Sequence, residues 1–144
     1  MKKLILLAAA SAVFIFGGQT VNACSCALPN RAELEAKSED DFAQLLKSLN
    51  GAVFIGKVTK NEGGAVSFQV ERYWKGPGTE SITIYTSTSE ASCGAPYRVG
   101  KKYLVFANNY KGALQASLCG YLSAIKYKDI YLRKLGAGEK PKVN

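Results

Sequence analysis

Residues 52–74, AVFIGKVTKNEGGAVSFQVERYW, contain the pattern from which the fold follows. Both ends of this stretch are rich in β-branched and aromatic residues, which favour strands, and the four residues NEGG at 61–64 favour a tight turn between them. Apolar and polar residues alternate in the second half, which is typical of a strand with one buried face. The stretch therefore predicts a hairpin of strands at residues 52–60 and 65–74. Its second strand is expected to bury one side, formed by Val66, Phe68, Val70 and Trp74.

Three further strands are predicted downstream, at residues 81–86, 102–107 and 113–118, with turn-forming residues between them. Five consecutive strands between helical ends indicate a mainly β fold with flanking helices. The arrangement favoured for such a chain is a five-stranded barrel of the OB-fold type. A β-sandwich or a different meander fits the same strand pattern.

Helices are predicted on both sides of the strands. Ser38 with Asp41 resembles a capping box, and the apolar residues that follow recur at helical spacing until Asn50 and Gly51: Phe42, Leu45, Leu46 and Leu49. Leu34 extends this helix backwards. A C-terminal helix closed by Gly136 is marked by Tyr127, Ile130, Tyr131 and Leu135. The polar residues 137–144 are expected to form a frayed tail.

The N-terminal 23 residues have the pattern of a secretory signal peptide. Lys2 and Lys3 precede the apolar residues 4–16, and VNA at residues 21–23 suits a signal peptidase. Cleavage after Ala23 makes Cys24 the first residue of the mature chain. We therefore expect a secreted, periplasmic or envelope-exterior protein, with one domain at residues 24–136.

Four cysteines remain after this cleavage: Cys24, Cys26, Cys93 and Cys119. An even number in an exported chain indicates two disulfides, for which three pairings exist. Cys24 and Cys26 are too close to pair comfortably with each other, so each is expected to reach Cys93 or Cys119. Loops of roughly 70–90 residues closed in this way stabilise the fold by about 4 kcal/mol each in the entropy model.

Charge and composition favour a binding protein over an enzyme. The chain has 19 basic and 11 acidic residues, a net charge of +8, and no histidine. Removing Lys2 and Lys3 leaves 17 basic residues against 11 acidic ones, a net charge of +6, spread without long runs. Histidine is the commonest general base and metal ligand, and paired cysteines supply no thiolate nucleophile. An enzyme based on carboxylates or hydroxyls is the weaker alternative.

An ordered set of motifs runs through residues 24–135. It consists of Cys24-x-Cys26, VFIGKV at 53–58, FQV at 68–70, WKG at 74–76, CG at 93–94, VGKKYLVFA at 99–107 and CG at 119–120. In this set the chain resembles the N-terminal, netrin-like domain of the tissue inhibitors of metalloproteinases, in the shorter form seen in bacteria. The resemblance implies an OB-fold barrel and the disulfides Cys24–Cys93 and Cys26–Cys119.

The resemblance also implies a partner and a binding surface. In that family the amine and carbonyl of the first cysteine bind the catalytic zinc of a metalloprotease, a role that falls here on Cys24. The next side chain, Ser25, would enter the specificity pocket of the protease, and Cys26 and Ala27 continue the same contact. The resemblance also implies that the segment before Cys93 contacts the active-site cleft of the protease. Here that segment is Ser89, Glu90, Ala91 and Ser92. A monomer without a cofactor of its own is expected.

Two other interpretations use the same residues. A netrin-like interaction module in the cell envelope would have no protease target. A lipoprotein would carry acyl chains on Cys24, because VNAC at residues 21–24 partly fits an acylation site, and only then would the protein contact a membrane. A nucleic-acid surface on the barrel could use Tyr73, Trp74, Tyr85 and nearby lysines, but it is not expected in an exported, disulfide-bonded chain, and Tyr73 and Trp74 are interpreted as core and rim residues.

Overall fold

A closed barrel of five strands forms the centre of the computed structural model, which describes residues 24–143. The strands are β1 (Gly51–Glu62), β2 (Ala65–Lys75), β3 (Ser81–Tyr85), β4 (Lys102–Tyr110) and β5 (Ala113–Gln115). Their order around the barrel is β1-β2-β3-β5-β4, and β4 pairs with β1 to close it. All neighbours are antiparallel except β3 and β5, which meet in parallel at Tyr85 and Gln115. The predicted mainly β, OB-fold-type barrel is confirmed. The predicted signal peptide lies outside the described residues.

The barrel interior is filled by alternate side chains of the long hairpin β1–β2. Val58, Val66 and Phe68 of this hairpin are almost completely buried there, together with Val105 of β4. The Phe68 ring contacts the edges of its neighbours, with ring centroids 5.3 Å from both Phe54 and Tyr97. Because successive side chains of a strand point to opposite faces, the same alternation that predicts the hairpin also selects the residues of this core.

A register shift changes the faces of β2 half-way along the strand. Gly56 pairs with Val70 and Ile55 pairs with Arg72, so one extra residue, Glu71, stands in β2 between the two pairs. An extra residue of this kind reverses the sides of the residues after it, here up to the next register shift at Trp74. Tyr73 accordingly packs against the barrel interior and Trp74 against the outer helices. The prediction that Trp74 shares a face with Val66, Phe68 and Val70 is therefore wrong.

A second apolar layer lies between the barrel and the helices. Within residues 24–143 the α-helices are α1 (Arg31–Ala36), α2 (Glu39–Ser48), α3 (Leu118–Lys126) and α4 (Lys128–Leu135). They cover Val53 and Leu104 on the outside of the barrel with Leu34, Phe42, Ile130 and Tyr131. In this part of the chain, no helix has the length and apolar character needed to cross a membrane.

Leu34 belongs to a separate helix and does not extend α2 backwards. Asn30 caps α1, since its side chain accepts from the Glu33 amide at 2.8 Å while the Glu33 carboxylate accepts from the Asn30 amide. Ser38 and Asp41 form the predicted capping box of α2. Two start signals eight residues apart interrupt what would otherwise be one helix, because a capping residue has extended backbone angles.

Residues 116–118 do not continue the fifth strand. β5 ends at Gln115, and Ser117 caps α3 by accepting from the Gly120 amide at 3.2 Å. Cys119 therefore lies in the first turn of a helix that the sequence did not predict. The apolar residues of ALQASL resemble those of a strand, and Ser117 within it is the helix start signal.

The C-terminal tail lies along β2 and the turn that follows it. The backbones of Tyr73 and Glu139 exchange two hydrogen bonds of 2.9 and 2.8 Å, and the Lys142 amide donates to the Gly78 carbonyl at 2.9 Å. The Tyr73 hydroxyl also donates to the Glu139 carboxylate at 2.8 Å. The prediction of a frayed tail is wrong for the described residues 137–143, because backbone pairing holds the tail although none of these side chains is buried.

Candidate functional site

The arm formed by residues 24–30 is fixed to the barrel by two disulfides. Cys24 is bonded to Cys93 and Cys26 to Cys119, with Cα–Cα distances of 5.5 and 5.2 Å. These are the two pairings that the resemblance implied. Cys24 and Cys26 are half-buried, whereas Ser25 and Ala27 are exposed. The arm therefore presents two small side chains to solvent from a backbone that is covalently held on either side of Ser25.

The other end of the arm is held by the helices. The Tyr127 hydroxyl donates to the Pro29 carbonyl, and Asn30 begins α1. Arg31 then forms a two-pronged hydrogen bond with the Asp129 carboxylate, at 3.0 and 3.2 Å. This guanidinium lowers the pKa of Asp129 below its ordinary value. The arm is thus held at its first residues by two disulfides and at its last residues by contacts with Tyr127 and Asp129.

The loop before Cys93 is a compact turn. Residues 90–92 form one turn of 3-10 helix, and the Gly94 amide donates to the Ser89 carbonyl at 2.8 Å. The hydroxyls of Ser89 and Ser92 lie 2.9 Å apart, and the Ser92 hydroxyl also donates to the Ser89 carbonyl at 3.0 Å. Because the turn binds its own polar groups, it is preorganised although Ser89, Ala91 and Ser92 are exposed.

Backbone contacts and its disulfide fix the position of Cys93, which is itself exposed. Its φ of 63° is in the left-handed region, which is uncommon for a residue other than glycine. The next residue must be small, since a Cβ on Gly94 would lie 2.0 Å from the Ser87 carbonyl oxygen. The Cys93 carbonyl accepts from the Leu118 amide at 3.0 Å, directly beside Cys119. The two disulfides are therefore anchored next to each other at the start of α3.

Arm and loop meet at Cys24. Its sulfur lies 3.7 Å from the carbonyl oxygen of Ala91, in the middle of the loop turn. The structure thus brings the sequence-predicted arm (Cys24, Ser25, Cys26 and Ala27) beside the predicted loop (Ser89, Glu90, Ala91 and Ser92). Ser25 and Ala27 project from the arm as exposed side chains. In the sequence, the seven of these eight residues other than Glu90 carry no charged side chain, so the polar groups that they offer are backbone groups and serine hydroxyls.

A cleft beside Cys93 was not predicted from the sequence. It has a volume of about 470 Å³. Its rim includes two aromatic side chains, Tyr85 and Tyr110, which are 47% and 56% exposed. The other lining residues are Thr86, Ser87, Cys93, Asn108, Gln115, Ala116 and Ser117. The strand alternation that buries Ile82 and Ile84 places Tyr85 outside, and this outward tyrosine is the signal from which the cleft could have been found.

Compared with known proteins, the sequence matches no protein-family model and no curated protein. The function of this protein is therefore inferred from the geometry of the arm and the loop and from the chemistry of the residues in them.

Proposed function

We propose that this protein is an exported, non-enzymatic binding protein that acts as a zinc metalloprotease inhibitor, related in fold and mode of action to the tissue inhibitors of metalloproteinases. The observation that carries the proposal is the Cys24-Ser25-Cys26 arm, stapled at both cysteines and lying against the Ala91 carbonyl. Disulfides of this kind persist in oxidising compartments, which supports export.

The chemistry of the inhibition follows from the group that signal cleavage would create. A catalytic zinc has three protein ligands and one position for water. An α-amine has a pKa near 7.7–8.0 in model compounds, so part of it is neutral at pH 7 and able to bind a metal. The nitrogen and carbonyl oxygen of Cys24 would form a five-membered chelate on the zinc of the protease. That chelate would displace the water which the protease uses as its nucleophile.

The disulfides would reduce the conformational entropy that the arm loses when it binds the zinc. A free peptide loses conformational freedom when its end is fixed on a metal, and a chain held beforehand loses less. Ser25 lies between the two staples and is exposed, so its side chain is free to enter the specificity pocket of the protease. The neighbouring loop turn, Ser89 to Ser92, is preorganised by its own hydrogen bonds and supplies a second contact.

The first experiment establishes the form of the exported protein. We expect an intact mass that begins at Cys24, carries no acyl chain and is four hydrogens lighter than the reduced chain, one pair for each disulfide. A lipoprotein would show the added acyl mass. Acylation of the Cys24 sulfur would also require the loss of its bond to Cys93. An added lipid, or a chain that starts elsewhere, would contradict the proposal.

The second experiment tests the chelation itself. The processed protein and a variant with one alanine added before Cys24 are compared against a panel of zinc metalloendopeptidases with a fluorogenic peptide. We expect the extended form to inhibit at least about 100-fold less, equal to about 2.7 kcal/mol, because its amine is displaced from the zinc. Equal thermal unfolding of the two forms serves as the control for folding. Equal inhibition by both forms would reject the chelation mechanism.

A further inference from the structure

A basic pocket lies on the part of the barrel where the start of β4 meets α3. It has a volume of about 460 Å³ and is lined by Pro96, Arg98, Lys101, Lys102, Tyr103, Tyr121, Ile125 and Lys128. None of these residues belongs to the proposed protease-binding surface. They come from the segment before β4, from β4 itself, and from α3 and α4, which are brought together only by the fold.

Positive charge dominates the lining of the basic pocket. Four of its eight residues are Lys or Arg, and none is Asp or Glu. Lys102 is neutralised in part by Glu71 at 2.7 Å, on the neighbouring side of the barrel. Lys102 also stands opposite Lys57 in the β1–β4 register. Like charges directly opposite each other in a sheet are unfavourable, and the ion pair with Glu71 offsets part of this repulsion.

The remaining lining is aromatic and apolar. Tyr103 and Tyr121 have ring centroids 5.6 Å apart, and each contacts the buried Tyr97 nearly edge-on, at 5.0 Å. This packing fixes the orientation of both rings. Ile125, one turn after Tyr121 on α3, is 51% exposed. The basic pocket therefore combines a rigid apolar wall with cationic side chains at its edge.

We propose that the basic pocket binds an organic phosphate ester, with the phosphate held by the cations and an apolar or aromatic group against Tyr103, Tyr121 and Ile125. Arg98 offers a planar donor fork that matches phosphate oxygens, and the lysines add charge with flexible geometry. An extended polymer is disfavoured because these cations surround a concave pocket of limited volume. This site is separate from the inhibitory arm and does not depend on the function proposed for it.

The same chemistry is offered by a soluble aryl phosphate and by the headgroup of an anionic phospholipid, and the experiment distinguishes them. The probes are phenyl phosphate, inorganic phosphate, and vesicles of phosphatidylcholine with or without phosphatidylglycerol. We expect phenyl phosphate, or the vesicles that contain phosphatidylglycerol, to bind the intact protein. Phenyl phosphate should bind about tenfold more tightly than inorganic phosphate, because only the former also buries a ring.

Two charge-matched variants decide whether the basic pocket is responsible. The pocket variant carries Arg98→Gln, Lys101→Gln and Lys128→Gln. The control variant carries Arg133→Gln, Lys140→Gln and Lys142→Gln, which remove the same charge from residues outside the lining. We expect binding to weaken at least about tenfold in the pocket variant and less than about twofold in the control. Both variants should keep the protease inhibition of the parent, so the two proposals can fail separately.

The binding of phenyl phosphate and of the vesicles decides which ligand the basic pocket takes. Binding of phenyl phosphate alone assigns a soluble ligand, and selective binding of phosphatidylglycerol vesicles assigns a lipid headgroup, provided that the pocket variant loses it. The proposal is overturned if both variants bind equally. It is also overturned if phenyl phosphate binds no more tightly than inorganic phosphate and the vesicles are not bound selectively.

Discussion

Phe68 is enclosed by aromatic rings at the centre of the barrel. It is fully buried, with Phe54 on one side and Tyr97 on the other. The same burial keeps the pKa of the Tyr97 hydroxyl well above its ordinary value, so that ring stays neutral. The stability of the barrel therefore depends strongly on single side chains at this position.

Replacing Phe68 with alanine is expected to lower the free energy of unfolding by about 3–5 kcal/mol, because a large cavity would remain between two rigid rings. Urea unfolding followed by circular dichroism measures this loss. Tyr110→Ala is the control. That side chain is 56% exposed, so its loss should change stability by no more than about 0.5 kcal/mol. Similar effects of the two substitutions would contradict the described core.

Ser25 is the residue on which the selectivity of the proposed inhibitor should depend. Serine is small and exposed, so Ser25→Leu should leave the melting temperature unchanged. Inhibition of proteases with a deep apolar pocket is expected to improve by about 10- to 100-fold, since added methylene groups would fill that pocket. Inhibition constants across a protease panel measure the change. Ala43→Leu, on the exposed side of α2, is the control and should alter no constant.

At the scale of helices and strands, two capping boxes place α1 and α2. In α2 the Ser38 hydroxyl accepts from the Asp41 amide at 3.1 Å. Replacing Ser38 with alanine removes this bond, and the free energy of unfolding is expected to fall by about 1 kcal/mol. Denaturant unfolding measures it. An unchanged midpoint would show that α2 is held by its packing and by its contacts with Lys75, and not by this bond.

The same box makes part of the stability dependent on pH. The Ser38 amide and hydroxyl donate to the Asp41 carboxylate at 2.7 and 2.8 Å, which lowers the pKa of Asp41 below its ordinary value of 3.8. Between the folded-state and the unfolded-state pKa of Asp41, the unfolded chain binds more protons than the folded one. The free energy of unfolding therefore rises with pH in this range. This contribution is complete above 3.8 and is lost as the pH falls towards the folded-state pKa.

Below pH 3.8 the melting temperature of the Asp41→Asn variant is therefore expected to fall less steeply with decreasing pH than that of the parent, because asparagine does not titrate. Thermal unfolding in a series of acidic buffers measures the slope. Asp40→Asn changes the neighbouring exposed acid in the same helical turn and is the control, whose slope should stay closer to that of the parent. Identical slopes for Asp41→Asn and the parent would contradict this role of the box.

The C-terminal tail is an element that pairs with β2. Removing residues 137–144 would delete the two backbone bonds of Glu139, the bond from the Tyr73 hydroxyl and the bond from the Arg72 guanidinium to the Ala137 carbonyl. At about 0.5–1.5 kcal/mol for each bond, discounted for solvent exposure, we expect a loss of about 2 kcal/mol. Melting temperature and hydrogen exchange at Tyr73 measure it. A truncated chain with unchanged exchange at Tyr73 would contradict the docking.

At the scale of the whole molecule, two disulfides connect the first described residues to distant parts of the fold. They join residues separated by 69 and 93 positions in the chain. Each paired substitution, Cys24→Ser with Cys93→Ser or Cys26→Ser with Cys119→Ser, is expected to cost about 2–5 kcal/mol of stability. Calorimetry of the two variants against the parent measures the loss. Full stability without either bridge would mean that the barrel holds the arm by itself.

Features of short range were predictable from the sequence. The hairpin, the helix that begins at Ser38 and the helix that ends at Gly136 depend on periodicity and on residues within one or two turns, and all three are present. The features that were predicted wrongly depend on contacts between residues far apart in the chain. Trp74 changes face because of a bulge set by pairing with β1, and Leu118 joins a helix that begins where the Cys93 loop is bound.

The candidate site divides in the same way. The two cysteines on either side of Ser25 are visible in the linear chain, and the motifs implied which distant cysteines they bond. The contact of the Cys24 sulfur with the Ala91 carbonyl, and the position of Arg98 and Lys128 in one basic pocket, come from the folded arrangement. The reason is that local patterns act through neighbours along the chain. A binding surface instead needs groups far apart in sequence, and barrel closure is what places those groups side by side.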